Sequence, residues 1–181
     1  LPTIRSRCQV IAFSRLTDAN VLEILQRKLV INDTDMQHKI PLLVQMARGS
    51  IGRALELHHG EALERRNWVI AKLAQIPDLS LPQVLGLSLG WSEERELVKL
   101  DLELMLQWYR DLWCTKLGVT DNIYNFDYTN ELMRVAKRYS QQSLEHITRL
   151  IQDMSIQIQR NVRIRFILGH LLLQMKKGAL A

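Results

Sequence analysis

Apolar residues recur at intervals of three and four along most of this chain, and that spacing predicts α-helices that bury one face. The last segment is the clearest case, with a nearly unbroken apolar stripe at Ile164, Ile167, Leu168, Leu171 and Met175. Because the 181 residues include only 8 Gly and 4 Pro, few positions force a helix to stop. The sequence therefore predicts an all-α fold.

Residues 15–60 are predicted to form a small module of three short helices. Thr17 is a candidate N-cap of the first helix, because its hydroxyl can accept a hydrogen bond from an otherwise unpaired backbone amide. A polar turn at 32–35 precedes the second helix, which Gly49 is expected to end. Ser50 is then expected to begin the third helix.

Longer helices are predicted in residues 61–181, which we expect to form a bundle. The predicted limits are Pro77 for the end of the first helix, Ser80 for the start of the second, Ser92 and Lys116 for the third, and Thr129 and Ser140 as N-caps of the next two. Gly118 is expected to act as the stop of the third helix. The helix after Ser140 is predicted to span 141–159.

Residues 9–13 form a predicted strand at the start of the chain. This short run is apolar and partly β-branched, and it follows a turn-like Arg-Ser-Arg. A strand needs a partner, and the rest of the sequence predicts helices. Because the chain also begins at Leu1 rather than at Met, we expect residues 1–14 to be the end of a domain that continues in a longer protein.

Sequence motifs for several kinds of chemistry are missing. The chain has neither G-x-x-x-x-G-K-[ST] nor G-x-G-x-x-G for binding phosphates, and it has no G-x-S-x-G nucleophile turn. Cys8 and Cys114 have no partner at ligand spacing, and His58 and His59 are expected to form a polar helix end rather than a metal site. No cofactor, no metal ion and no catalysis by the chain itself are predicted.

The composition indicates the cellular compartment of the protein more clearly than its function. The cysteine pattern fits a reducing cytoplasm, and no apolar run approaches the roughly 18 residues needed to cross a membrane. The net charge of +5 permits contact with nucleic acid or acidic proteins without identifying either. Basic clusters at 134–138 and 160–165 fit either a solvated face or an interface to acidic partners. The tryptophans at 68, 91, 108 and 113 are expected in the core or at an interface rather than as platforms for bases, because no basic stripe accompanies them.

Arg7 is the candidate functional residue. It stands at the entrance of the predicted strand, a position from which a guanidinium can reach the γ-phosphate of a nucleotide bound to an adjacent protein. There it would stabilise charge on the transferred phosphoryl group. On physical grounds alone, a surface arginine in a turn is the favoured interpretation.

The neighbours of Arg7 favour the first interpretation. Thr3 and Ile4 precede Ser6-Arg7-Cys8, an apolar run follows, and this arrangement resembles the Ser-Arg-Cys motif of clamp-loader subunits. These subunits are relatives of the AAA+ ATPases, and they place ring-shaped sliding clamps on primed DNA. The resemblance implies that Arg7 acts as an arginine finger in a neighbour's ATP site, with Ser6 and Cys8 as the supporting motif.

Residues 47–57 resemble the second-sensor segment of the same family, in which Gly-Ser ends one helix and begins the next. ATP-binding members carry an arginine two residues after the Ser, and this chain has Gly52 there. The chain therefore resembles members of the delta-prime type, which do not sense ATP in this way. Arg53 lies about 100° further around the helix and is expected to be a surface or interface residue.

Two C-terminal segments extend the resemblance over essentially the whole chain. Residues 108–113 resemble the Trp-x-Arg-Asp-Leu-Leu segment of the delta-prime C-terminal domain. Residues 160–163 resemble the Asn-x-Asn stretch before the final helix of that domain, with Arg160 in place of the first Asn. No role is carried over to position 160.

The resemblance implies three parts: the end of an AAA+ ATPase-like domain in 1–14, a helical lid in 15–60, and a helical collar domain that joins subunits in 61–181. The implied protein is a non-catalytic part of a cytoplasmic DNA polymerase III holoenzyme, which is a DNA-directed DNA polymerase and so a nucleotidyltransferase. Its implied partners are ATP-binding motor subunits, a clamp-opening subunit and, through the whole complex, the sliding clamp and primed DNA.

Two alternatives stay open at this point. One is an ATP-hydrolysing motor subunit of the same clamp loader, against which Gly52 argues. The other is a free-standing basic helical protein that binds nucleic acid, which would bind DNA with a strong dependence on salt.

Overall fold

A computed structural model of the chain describes residues 7–9, 11, 13–28, 34–59, 61–120, 123–158 and 163–179. These ranges contain nine α-helices and two short 3-10 turns, and no residue in them lies in a β-strand. The predicted all-α fold is confirmed.

The predicted strand at 9–13 is not seen. Gln9, Ile11 and Phe13 have no regular structure, and Val10 and Ala12 lie outside the described residues. Ile11 and Phe13 are also exposed. A strand is held by backbone hydrogen bonds to a neighbouring strand, and the described part of the chain provides none.

The chain divides into two compact units, residues 1–60 and 61–181. The first unit contains α1 (Asp18–Lys28), α2 (Thr34–Ala47) and α3 (Ile51–His59), and each of these helices packs against the other two. Their shared core consists of Val21, Leu25, Ile40, Val44, Ala47 and Ala54. The predicted N-cap at Thr17 is confirmed, since its hydroxyl accepts the Asn20 amide at 3.3 Å.

The second unit contains the longer helices. In chain order they are α4 (Ala62–Gln75), α5 (Leu81–Leu89), α6 (Arg95–Lys116), α7 (Thr129–Ala136), α8 (Gln141–Gln157) and α9 (Ile164–Gly178). A 3-10 turn, Ile76–Asp78, follows α4, and another, Phe126–Tyr128, precedes α7. Helix α6 packs against α4, α7 and α8, while α9 packs against α5 and α8.

The core of the second unit is built around α6. This helix buries apolar and aromatic side chains on more than one side, among them Leu102, Met105, Trp108, Tyr109 and Leu112. Full burial of one such side chain contributes about 1.5–3 kcal/mol, so α6 supplies a large part of the stability of this unit. The predicted apolar stripe of α9 is buried as well, from Ile164 to Met175.

Several predicted helix limits are confirmed by capping contacts. Ser80 and Gln83 form a reciprocal capping box at the start of α5. The Ser140 hydroxyl accepts the Ser143 amide at the start of α8. Gly118 follows α6 with a φ of 74°, the left-handed conformation typical of a helix stop.

Two predicted starts are wrong. Helix α6 begins at Arg95 rather than directly after Ser92, because the Ser92 hydroxyl accepts the Glu94 amide in a local turn that competes with a helix. Thr129 is the first residue of α7 rather than its N-cap, and its hydroxyl donates to the Phe126 carbonyl at 2.6 Å.

Among the described helices, none has both the length and the apolar character that a bilayer-spanning segment requires.

Candidate functional site

The candidate arginine finger lies in an exposed turn of the first unit. Arg7 and Cys8 belong to this turn, both residues are exposed, and Cys8 is a free thiol. Ser6 lies outside the described residues. An arginine that acts on a neighbour's nucleotide must be accessible in its own chain, and Arg7 meets that condition. The role of the arginine stays a prediction.

The Gly-Ser segment expected from the sequence joins α2 to α3. Arg48 and Gly49 both have positive φ, of 49° and 78°. The Leu16 amide donates to the Gly49 carbonyl at 3.1 Å, so the same turn also holds the segment before α1. A Cβ at position 49 would overlap the Leu16 carbonyl oxygen, and this position therefore requires glycine. The Ser50 hydroxyl accepts the Arg53 amide at 3.3 Å, which confirms Ser50 as the cap of α3.

Gly52, at the sensor position, has open space around it, whereas Gly49 is crowded by Leu16. It is exposed in the first turn of α3, and no atom lies within 4 Å of the place where a Cβ would stand. A longer side chain would fit at this position. Glycine at the sensor position is therefore not imposed by packing within the first unit.

The two glycines should respond in opposite ways to replacement by alanine. Gly49→Ala is expected to lower the free energy of unfolding of the first unit by about 2 kcal/mol or more, because a left-handed residue with a Cβ costs roughly 1–2 kcal/mol before the overlap with Leu16 is added. Gly52→Ala is expected to raise it by up to about 1 kcal/mol. Thermal unfolding followed by circular dichroism measures both changes. Equal effects of the two substitutions would show that Gly49 is not the restricted position.

A helix without charged residues forms part of the surface of the second unit. Residues 79–92 contain no Asp, Glu, Lys or Arg. On one side of α5, Val84 and Ser88 are buried, and α5 packs against α9. Away from those residues, Leu81, Leu85 and Leu89 recur at every fourth position and are 46%, 47% and 65% exposed. We call these three leucines the apolar face.

A surface helix normally carries charged residues on its solvent side. The three leucines lie about 80° around α5 from Val84 and Ser88, so exposed apolar residues flank the side of the helix that packs against α9. Phe166, in the first turn of the adjacent helix α9, is exposed as well. Exposed leucines that recur along one helix in this way are typical of surfaces that contact other proteins.

The basic cluster around α7 is engaged within the second unit. Arg134 and Arg138 both pair with Asp78, at 3.1 and 2.7 Å. Arg134 also donates to the Ala74 carbonyl, and Arg138 donates to the Pro77 carbonyl. Hydrogen bonds from Arg134 and then from Arg138 lower the pKa of the Asp78 carboxyl, although slight burial opposes them. Because cations are favourable at the carboxyl end of a helix, these arginines fasten α7 to the end of α4.

The second basic cluster is engaged in part. Arg165 forms an ion pair with Glu93, which links α9 to the segment before α6. Arg163 is exposed at the start of α9, and Arg160 lies outside the described residues. Neither cluster provides a continuous stripe of unengaged cations in the part of the chain that the structure describes.

The contacts of two arginines in α4, the buried Arg66 and the partly buried Arg65, are not apparent from the sequence. Arg66 donates to Asn125 at 3.1 Å and to both carboxylate oxygens of Asp127 at 2.9 and 2.5 Å. Arg65 donates to both oxygens of the fully buried Asp101, at 2.7 and 2.5 Å. The burial of Arg66 could have been inferred from its position in the sequence, because it lies on the apolar stripe of α4, four residues after Ala62.

Asp111 completes this polar network from α6. It is fully buried and accepts the backbone and side-chain amides of Asn125, at 2.8 and 2.7 Å, and the Tyr124 amide at 3.1 Å. Burial raises the pKa of the Asp111 carboxyl, while these hydrogen bonds oppose the increase. The loop before α7 is thereby held between α4 and α6.

The tryptophans of the second unit are structural. Trp108 is fully buried in the core, and Trp113 is half-buried. Trp91 donates to Asp101 at 2.6 Å and contacts Trp68 edge to face, with ring centroids 4.7 Å apart. In the described ranges, no group of three or more His, Cys, Asp or Glu side chains is placed to hold a metal ion.

The described ranges thus form two helical units, with Arg7 accessible in the first and an uncharged surface helix, α5, in the second. Residues 60–177 match the family described as DNA polymerase III, delta subunit, C terminal, and the chain belongs to this family. It is also 23% identical over 186 residues to DNA polymerase III subunit delta' of Bacillus subtilis (strain 168), across 98% of this chain and 54% of that protein.

The chain thus spans about half the length of the curated relative that it matches. The similarity agrees with the resemblance to the delta-prime type that the residue motifs predicted, and that prediction is confirmed.

Proposed function

We propose that this protein is a non-catalytic clamp-loader subunit, which assembles with other subunits through its second unit and completes a neighbour's ATP site with Arg7. The observation that supports the assembly role is the apolar face on α5. It lies within the residues that match the DNA polymerase III family, and the curated relative is named as a subunit. The protein would act in the cytoplasm during DNA replication.

The apolar face is large enough to matter for association. Covering the exposed half of one leucine contributes about 1 kcal/mol, so the three leucines together contribute about 3 kcal/mol. That is the scale of the residue clusters that dominate protein interfaces. Gly86 lies in the same exposed part of α5 and has no neighbouring atoms near its Cβ position, which leaves room for a partner's helix to approach closely.

The proposed partners are the ATP-binding motor subunits and the clamp-opening subunit, with the sliding clamp and primed DNA reached through the whole complex. The motor-subunit alternative is disfavoured by Gly52, which has no side chain to contact a phosphate. The nucleic-acid alternative is disfavoured because Arg134, Arg138 and Arg165 are paired with carboxylates. Salt-sensitive DNA binding by this chain alone would reverse that preference.

The apolar face can be tested by placing two charges in it. Leu85→Asp combined with Leu89→Asp is expected to abolish association with the partner subunits, because two carboxylates would be desolvated without counter-charges. Both leucines are about half exposed, so the helical circular dichroism spectrum should not change. Size-exclusion chromatography with light scattering measures association in the mixture.

Ile156→Asp is the matched control, because Ile156 is exposed to a similar extent on α8 rather than on α5. It should assemble as the unmodified chain does. If the double variant also assembles normally, the apolar face is not the contact surface. If the unmodified chain associates with none of the partner subunits, the proposed assembly function itself is wrong.

A further inference from the structure

A hollow between the end of α6 and α7 has no role in the function proposed above. Its volume is about 300 Å³. The residues that line it are Thr115 and Lys116 from α6, Met133 and Ala136 from α7, and Lys137 directly after α7. A volume of this size lies at the lower end of the range for ligand pockets and suits one or two side chains of a partner.

Exposed apolar side chains lie in the hollow and in the chain segment that follows it. Met133 lines the hollow and is about half exposed, and Leu117 and Val119, in the turn directly after the lining residue Lys116, are exposed to a similar extent. This turn is held by backbone hydrogen bonds, from the Leu117 amide to the Trp113 carbonyl at 3.1 Å and from the Val119 amide to the Cys114 carbonyl at 2.9 Å. The apolar residues therefore stand on a fixed backbone, which favours binding without a large loss of conformational entropy.

The charged residues that line the hollow are both positive. Lys116 and Lys137 line it, and no carboxylate is among the lining residues. The Lys116 ammonium donates to the Ala136 carbonyl at 3.3 Å, which keeps this charge at the hollow. An acidic group beside the apolar floor would therefore be attracted rather than repelled.

The last turns of α6 also carry unused hydrogen-bonding groups. The Thr115 hydroxyl and the Trp113 indole N–H are buried and have no hydrogen-bond partner among the described residues. Each such group costs about 1–3 kcal/mol, and folded proteins contain few of them. Thr115 lines the hollow, so one of these groups belongs to a residue of the site itself.

We propose that this hollow binds a short acidic and apolar segment of a partner protein. A bulky apolar side chain of that segment would lie against Met133 and Ala136, and its carboxylates would lie beside Lys116 and Lys137. A peptide is favoured over nucleic acid because no aromatic side chain lines the hollow, and bases would have no ring on which to stack. This binding requires neither Arg7 nor the apolar face.

The probe for this site is a fluorescein-labelled decapeptide of alternating aspartate and leucine, titrated with the 181-residue chain and followed by fluorescence anisotropy. Two matched peptides replace every aspartate with lysine or every leucine with serine. The first peptide is expected to bind saturably. Each of the other two is expected to bind at least about tenfold more weakly than the first.

Substitutions then locate the binding. Lys137→Glu and Met133→Ser are each expected to lower the affinity for the aspartate–leucine peptide about tenfold, and neither should change the circular dichroism spectrum. Lys99→Glu makes the same change in net charge about 25 Å away along α6, and it should leave the affinity unchanged.

Three outcomes would overturn the proposal. The first is no binding of the aspartate–leucine peptide at millimolar concentration, or equal binding of all three peptides. The second is an equal effect of Lys137→Glu and Lys99→Glu. The third is displacement of the peptide by a ten-nucleotide oligothymidylate, which would identify the lysines as a nucleic-acid contact instead.

Discussion

Arg66→Ala is expected to lower the free energy of unfolding of the second unit by about 2–4 kcal/mol. The Arg66 side chain is 1% exposed, and its guanidinium donates to Asn125 and Asp127. Alanine would leave the buried Asn125 oxygen without this donor and the partly exposed Asp127 carboxylate without its counter-charge. Removing a buried guanidinium that makes several hydrogen bonds costs more than removing an exposed ion pair.

The loss should spread along the chain from the site of the substitution. Asn125 is bound to Asp111 of α6, so Arg66 and Asp111 together hold the loop before α7. Arg66 also lies over the ring of Tyr128, with 5.3 Å between the guanidinium carbon and the ring centroid, and Tyr128 is the residue that directly precedes α7. We therefore expect α7 to lose protection from hydrogen exchange in this variant before α8 does.

Urea unfolding followed by circular dichroism measures the size of the effect. Arg149→Ala is the control, because Arg149 is an exposed residue of α8 that pairs with Glu145 one turn earlier. That variant should change the stability by less than about 0.5 kcal/mol. A loss below about 1 kcal/mol for Arg66→Ala would mean that the buried network does not hold the loop.

The helices could be predicted from the sequence because their causes are local. Apolar spacing, capping hydroxyls and stop glycines act within a few residues of one another, as at Thr17, Ser80, Ser140 and Gly118. The two wrong starts, at Ser92 and Thr129, are also local, because a hydroxyl there bonds in a turn rather than to the first turn of a helix.

The buried network and the hollow depend on long-range contacts and could not be predicted in this way. Arg66 and Asp127 are 61 residues apart in sequence, and no periodic pattern in α4 shows which loop will reach it. The hollow exists only because α7 packs beside the end of α6. The apolar face differs from these two features, because the uncharged run at 79–92 can be seen in the sequence. Only the structure shows which side of α5 is buried and which leucines are therefore exposed.

Arg7→Ala is expected to reduce ATP hydrolysis at the neighbouring subunit's site by about 10³-fold or more in the reconstituted complex. A guanidinium offers several donors in a planar fork to the transferred phosphoryl group, and alanine offers none. Arg7→Lys should restore little of the activity, because an ammonium is a single compact charge without that geometry. Arg15→Ala replaces another exposed arginine of the N-terminal segment and should leave hydrolysis unchanged.

The most direct test of the proposed function is single-turnover ATP hydrolysis by a complex in which only the ATP site next to this protein is competent. Clamp and primed DNA are present, and assembly is checked separately for each variant. We predict normal assembly and a loss of about 10³-fold in the rate for Arg7→Ala, with a normal rate for Arg15→Ala. An unchanged rate for Arg7→Ala in a fully assembled complex would contradict the assignment of Arg7 as an arginine finger.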